Sequence, residues 1–304
     1  MSIDKFIDEL NLDVAYSALL ASMLASQSSY YRQFQLRKKR GGFRIINVPY
    51  PSLDILQKKI HLYLKERFKP STSVYAYVPG KNAIEHAKQH INSKELLTLD
   101  IIDFFGSITS KQILAGLINI GINSSIASII ASLCCLNDKV PQGSSASPIL
   151  SNIIFYPIDK RLHSLATKFN LVYSRYADDL VFSGETIPNK LKSYAYEILK
   201  EYDFIINEEK TKLKKKNSKK IITGVSITNG IMKCPKKFKR ELRKEIFILE
   251  KNISNLSMIK PLDPLIYERT LGKINYLLQI EPSNEFYKKK KEAISKHHQN
   301  FLKM

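Results

Sequence analysis

The chain has 304 residues, 44% of them hydrophobic, and a formal net charge of +20. That length supports two or three compact subdomains with real cores, and that charge calls for a polyanionic partner, nucleic acid or an anionic membrane surface. No run of about twenty apolar residues exists, so no membrane span is expected, the start Met1-Ser2-Ile3-Asp4-Lys5-Phe6 lacks a secretory layout, and Cys134, Cys135 and Cys234, without CxxC or histidine-ligand spacing, read as reduced thiols of a cytoplasmic protein rather than a zinc site.

From Met1 to about Ser29, Leu10, Val14, Leu19, Leu20, Met23 and Leu24 predict a helix. Arg37 to Pro49 reads as a basic hairpin, with Gly41-Gly42 marking the turn between two short strands. Leu53, Leu56, Ile60 and Leu64 place an amphipathic helix from about Ser52 to Phe68. Leu96 to Leu99 and Ile101-Ile102 form an apolar run typical of a buried strand, which Asp100 interrupts. A carboxylate there is costly unless it is paired with a cation or bound to metal. A salt bridge to one of the many lysines or arginines is the plain alternative.

Ser147 to about Lys168 reads as a helix with Leu150, Ile153, Ile154, Ile158, Leu162 and Leu165 on its apolar face and an expected kink at Pro157. Two β-rich runs, Leu171 to Arg175 and Leu180 to Ser183, then bracket Tyr176-Ala177-Asp178-Asp179 as a hairpin with acids at its tip. Adjacent carboxylates repel and need a cation to offset them. An oxygen-only site suits Mg²⁺, which clamps phosphates. If the Asp100 strand lies beside this hairpin, three carboxylates converge, enough for a two-metal phosphoryl-transfer site. The bland alternative is a polar turn. Asn189 to Tyr202 is a further amphipathic helix, followed by Ile205 to Thr211 and a strand near Ile221. Beyond Gly230 the chain turns helical: Lys236-Lys237-Phe238-Lys239-Arg240 opens a helix with Leu242, Ile246 and Leu249, and another holds Leu271, Ile274, Leu277 and Leu278. The loop Lys212 to Lys220 and the run Lys288 to Lys291 are charge blocks, ordinarily solvated and here read as RNA contacts.

The Asp100 strand, then Pro141-Gln142-Gly143-Ser144-Ser145-Ala146-Ser147-Pro148, then Tyr176-Ala177-Asp178-Asp179 resemble a reverse transcriptase in order and spacing, over nearly the whole chain. The resemblance implies an α+β right-hand polymerase fold. Fingers and the N-terminal helix would span 1–93, an antiparallel-sheet palm 94–230 with a fingers insertion about 107–140, and a helical thumb 231–304. It makes Asp100 and Asp178 the main ligands of two Mg²⁺ ions, with Asp179 helping to hold one. It sets Phe105 as the gate that favours dNTPs, Gln142 and Gly143 against the incoming nucleotide, and Arg44 and Lys39 over its triphosphate. Phe105 has a plain core reading beside Phe104. Lys210 would be the general acid for pyrophosphate, with a simple exposed lysine as the alternative. Lys236, Lys237, Lys239 and Arg240 would grip nucleic acid through phosphates.

Two further segments narrow the resemblance to bacterial retron reverse transcriptases. Asn82-Ala83-Ile84-Glu85-His86 carries an Asn-Ala-x-x-His pattern, and Ile222-Thr223-Gly224 stands where such enzymes have Val-Thr-Gly. This implies a cognate structured noncoding RNA, with Asn82 and His86 as contacts; a core or capping histidine is the plain alternative for His86. Synthesis would start from an RNA 2′-hydroxyl and give a branched RNA–DNA product, in anti-phage defence with a toxic effector and no membrane. The alternatives are a defence-associated reverse transcriptase with different priming and a noncatalytic RNA-binding scaffold.

Overall fold

The computed structural model describes residues 3–12, 14–38, 41–254 and 265–301. The chain forms two compact units, Met1–Lys81 with Leu97–Leu213 and Asn82–Leu96 with Lys214–Met304. The single N-terminal helix of the sequence reading is instead α1 (Ile3–Glu9), α2 (Val14–Ala25) and a 3₁₀ turn at Gln27–Tyr30. Asn11, at φ +48°, breaks the run, and Lys59 Nζ donates to its carbonyl at 2.6 Å. β1 (Tyr31–Arg37) and β2 (Phe43–Pro49) pair antiparallel from Tyr31↔Pro49 to Arg37↔Phe43. Gly41 and Gly42 turn between them at φ +94° and +75°, a conformation that glycine adopts freely. α3 (Pro51–Arg67) starts on proline, whose fixed φ suits a first helical position. It buries Leu53, Leu56, Ile60 and Leu64, as their spacing requires.

After α4 (Ala83–Lys88) and β3 (Glu95–Asp100) come α5 (Ser110–Asn119) and α6 (Ser124–Cys134). Their starts are fixed by a Thr109–Gln112 capping box and by the Asn123 side chain. α7 (Ser147–Lys168) continues through Pro157. β4 (Val172–Tyr176), β5 (Asp179–Gly184), α8 (Leu191–Lys200) and β6 (Lys212–Lys214) follow, and the sheet order is β4-β5-β3-β6. The apolar side of this sheet and helices α3, α5, α6, α7 and α8 share one core. Phe155 stands 5.5 Å from Phe104 and 4.8 Å from Phe204, ring to ring. Each such ring contributes about 1.5–3 kcal/mol through burial, so the end of β3 is anchored from below.

In the second unit, β7 (Lys220–Ile222), β8 (Val225–Thr228) and β9 (Ile231–Lys233) form a separate antiparallel sheet packed on α4. The strand expected near Ile221 lies in this sheet, not beside β3. Thr223-Gly224, at φ +44° and +84°, makes the two-residue turn that β-hairpin twist favours. α9 (Lys236–Ser254), α10 (Ile266–Ile280) and α11 (Glu285–Phe301) follow, with α10 packed on both others. Lys288 to Lys291 therefore lie within a helix, and Lys212 to Lys220 is part strand, not wholly loop. Cys134, Cys135 and Cys234 are buried free thiols. Among the described residues, no helix is long and apolar enough to cross a membrane.

Candidate active site

Tyr176 pairs with Asp179 across a two-residue turn of Ala177 and Asp178. Asp178 is thus on the turn and Asp179 opens β5. β5 neighbours β3 in the sheet. The Ile101 amide donates to the Asp178 carbonyl at 3.3 Å, and the Asn207 amide donates to the Asp100 carbonyl at 2.7 Å. The structure therefore brings Asp100, Asp178 and Asp179 together. Their electrostatics agree. Burial, then the Asp100 charge, hold the Asp178 carboxyl above its ordinary range against its own amide, Lys210 and Arg44. Asp179 is pushed up to about 6 by burial and by the charges of Asp178 and Asp100.

Lys210 Nζ lies 3.0 and 2.9 Å from the two carboxylate oxygens of Asp100. The ion pair weighed as an alternative for Asp100 is present, and it stands inside the acid cluster. One ammonium faces three carboxylates. Hard oxygen donors with unanswered negative charge fit Mg²⁺. Among the described residues, no three Asp, Glu, His or Cys side chains are gathered closely enough to cage an ion alone. Substrate phosphate oxygens would complete the shell, the usual arrangement for Mg²⁺.

A buried network that the sequence reading missed supports the turn. Arg175 donates from Nε and Nη2 to Asp159 at 2.9 and 2.8 Å, and from Nη2 to Asn152 at 3.1 Å. Its Nη1 reaches the Ala177 carbonyl at 3.2 Å. Tyr173 donates to Asp159 at 2.8 Å. The Arg175 and Asp159 side chains are 0% exposed. Ala177 sits at φ +55°, a strained region for a residue with a Cβ. The guanidinium thus clamps the strained carbonyl beside Asp178. Only the pairing of a strand arginine with a helix aspartate 16 residues before it would have revealed it.

Of the residues expected to meet a nucleotide, Arg44 is exposed on β2, and its charge acts on Asp178 and Tyr77. Lys39 lies outside the described residues. Phe105 is half-buried, its ring 5.2 Å from Phe104 and 6.4 Å from Tyr77. Tyr77, also missed, sits at φ +62°. Burial of its hydroxyl, then the Asp178 charge, raise its phenol. The Gln142 carbonyl accepts from the Asn47 amide at 2.8 Å. At Gly143, φ +121°, a Cβ would stand 2.8 Å from the Asn47 carbonyl oxygen. The close approach here is to β2, so this block ties down the strand that carries Arg44. Ser144 and Ser145 donate to Gln57 and Asp54 of α3 at 2.6 and 2.5 Å, fixing its other side.

In the second unit, Asn82 caps α4, its side-chain oxygen accepting from the Ile84 and Glu85 amides at 2.9 and 3.0 Å. His86 is 0% exposed, with Nδ1 3.5 Å from Thr223 Oγ1. Both residues have a place in the fold: Asn82, itself exposed, caps the helix, and His86 is enclosed, as the core alternative for it has it. Their motif shapes α4 against the Thr223-Gly224 turn. Lys239 is ion-paired to Glu281 at 2.6 Å. Burial opposes ionisation of Glu281, but Lys239, the Cys234 amide and Asn284 prevail and hold its carboxyl below the ordinary value. Lys237 stands 3.9 Å from Glu241 on the surface. Lys236 and Arg240 line a groove along α9.

Residues 36–227 match the family model described as reverse transcriptase (RNA-dependent DNA polymerase). The Mx65 retron reverse transcriptase of Myxococcus xanthus is 29% identical over 66% of this chain and 52% of its own length. This chain thus spans about half of that relative. The Ec83 retron reverse transcriptase of Escherichia coli is 28% identical over 93% of this chain and 92% of its own. A foamy viral protease–reverse transcriptase solved with double-stranded DNA aligns with a TM-score of 0.47 at 17% identity, over 81% of this chain and 35% of its own.

Proposed function

The chain belongs to the reverse transcriptase (RNA-dependent DNA polymerase) family, and from that premise we propose that it is an Mg²⁺-dependent RNA-directed DNA polymerase of the retron type. The observation that carries the reading is the meeting of Asp100, Asp178 and Asp179 at one end of the β4-β5-β3-β6 sheet. Asp100 and Asp178 would hold two Mg²⁺, with Asp179 assisting. Bound there, Mg²⁺ supplies Lewis-acid activation of the attacking hydroxyl and charge neutralisation on the phosphates. The chain's own residues do the rest. Arg44 presents a cation to the triphosphate from β2. Gln142 and Gly143 set the position of that strand. Phe105, backed by Phe104 and Tyr77, stands as the sugar gate. Lys210, held on Asp100, would give a proton to the departing pyrophosphate.

The basic helical region from 231 would serve as thumb, with palm and fingers before it. We assign it a structured noncoding RNA template, 2′-hydroxyl priming and a branched RNA–DNA product. A role in anti-phage defence beside an effector, in the cytoplasm, belongs to the same proposal. The retron names of the relatives support this type. A pure RNA-binding scaffold gains nothing from three clustered acids facing phosphates, so the catalytic reading is preferred. Asp178→Asn is expected to abolish dNTP incorporation on a primed RNA template while RNA binding persists. Sustained synthesis by that variant would remove the assigned role. Sequencing copurified nucleic acid tests the type: DNA joined through a 2′–5′ branch is expected, and active complexes without it point to another priming mode.

A further inference from the structure

The groove along α9 has a volume of about 620 Å³ and is lined by Lys236, Lys239, Arg240, Arg243, Lys244 and Phe247. Their spacing puts all six on one side of the helix, while Leu242, Ile246 and Leu249 are buried on the other. Phe247 is 58% exposed in this cationic setting. Lys251 Nζ stands 5.0 Å over its ring. On α11, Phe286 is 46% exposed, with Arg243 Cζ 5.6 Å and Lys290 Nζ 5.7 Å from its ring centre. Ring and cation alternate along this surface.

A grip on duplex phosphates needs cations alone. A ring left in water among them suits a strand whose bases are unpaired, because any base can stack on it. We propose that the α9 groove binds unpaired nucleotides of a polynucleotide, with phosphates on Arg240, Arg243 and Lys244 and a base stacked on Phe247. This rests on the polymerase reading and names the ligand class of its basic surface as single-stranded.

The test is fluorescence anisotropy on the full chain with three labelled probes: single-stranded RNA of about twelve nucleotides, DNA of the same sequence, and a blunt RNA duplex. Phe247→Ala is expected to weaken single-strand binding about tenfold, and duplex binding less than about twofold. Phe247→Trp should retain wild-type affinity. Arg240→Ala with Lys244→Ala should weaken all three probes and flatten the salt dependence. Loss on RNA alone supports the site with a template as its source; equal loss on RNA and DNA supports it for any unpaired strand. Equal single-strand binding by wild type and Phe247→Ala, or an equal loss on duplex, overturns it. Primer extension by wild type, run in parallel, reports on the polymerase reading alone.

Discussion

Asp159→Asn isolates the clamp beneath the acidic turn. The substitution keeps the shape of residue 159 but turns one oxygen into an NH₂ group facing the Arg175 fork. Arg175 keeps its charge in a site with 0% exposure. Breaking a buried pair in this way costs about 3–5 kcal/mol. At roughly 2–4 °C per kcal/mol for a body of this size, the melting temperature should fall roughly 6–20 °C. The assay is calorimetry, with Arg161→Ala as control. Arg161 bonds Glu201 in an exposed pair, 40% and 57% accessible, whose loss should cost less than about 1 kcal/mol. Replacing both partners, Asp159→Leu with Arg175→Met, should recover only part of the loss, since an apolar pair leaves no stranded charge but orphans the buried Tyr173 hydroxyl and Asn152. Primer extension by the double variant should stay low, because the Ala177 carbonyl loses its donor. A melting temperature for Asp159→Asn within about 2 °C of wild type would refute the reasoning.

Millimolar Mg²⁺ is expected to raise the melting temperature of wild type but not of Asp178→Asn, since a ligand of the native state stabilises by mass action; an equal rise in both would count against the assigned ligands. Glu281 titrates below its ordinary 4.5 when folded. Its stabilisation is therefore full above pH 4.5 and is lost as pH falls through the folded value. The melting gap between wild type and Glu281→Gln should be constant near neutrality and close in acid, and a pH-independent gap would contradict this. Gly143→Ala meets both the Asn47 carbonyl and a left-handed φ. It should cost about 1–3 kcal/mol in thermal unfolding and raise the KM for dNTPs; wild-type values for both would exclude the latch.

Elements ruled by one local pattern were legible in the sequence. α3 and α7 follow from apolar spacing, and the two hairpins from glycine or a polar turn between strand-like runs. The convergence of Asp100 with the Asp178 turn required only that their strands be neighbours. What escaped depends on partners far along the chain or on backbone state. The break at Asn11 needs a positive φ that no apolar pattern encodes. Lys288 to Lys291 read as a charge block open to RNA, with no sign that Tyr287 and Ile294 flank them as buried anchors of α11. The chain from Lys212 to Lys220 looked like one charged loop because its two short strands join different sheets. Arg175 and Asp159 each resemble ordinary surface residues until the fold encloses both. His86 has two readings in the sequence, RNA contact or core histidine, and only its enclosure in the fold favours the second.

The bond from Asn47 to Gln142 gives the β1–β2 arm a pivot. Arg44 is three residues from that point, roughly 10 Å along the strand, and Gly41 is six away, roughly 20 Å. If the arm rocks, its outer end sweeps about twice the arc that Arg44 does. A lever hinged there would carry the guanidinium about half as far as its tip, so admitting bulk at the far end also draws the cation back.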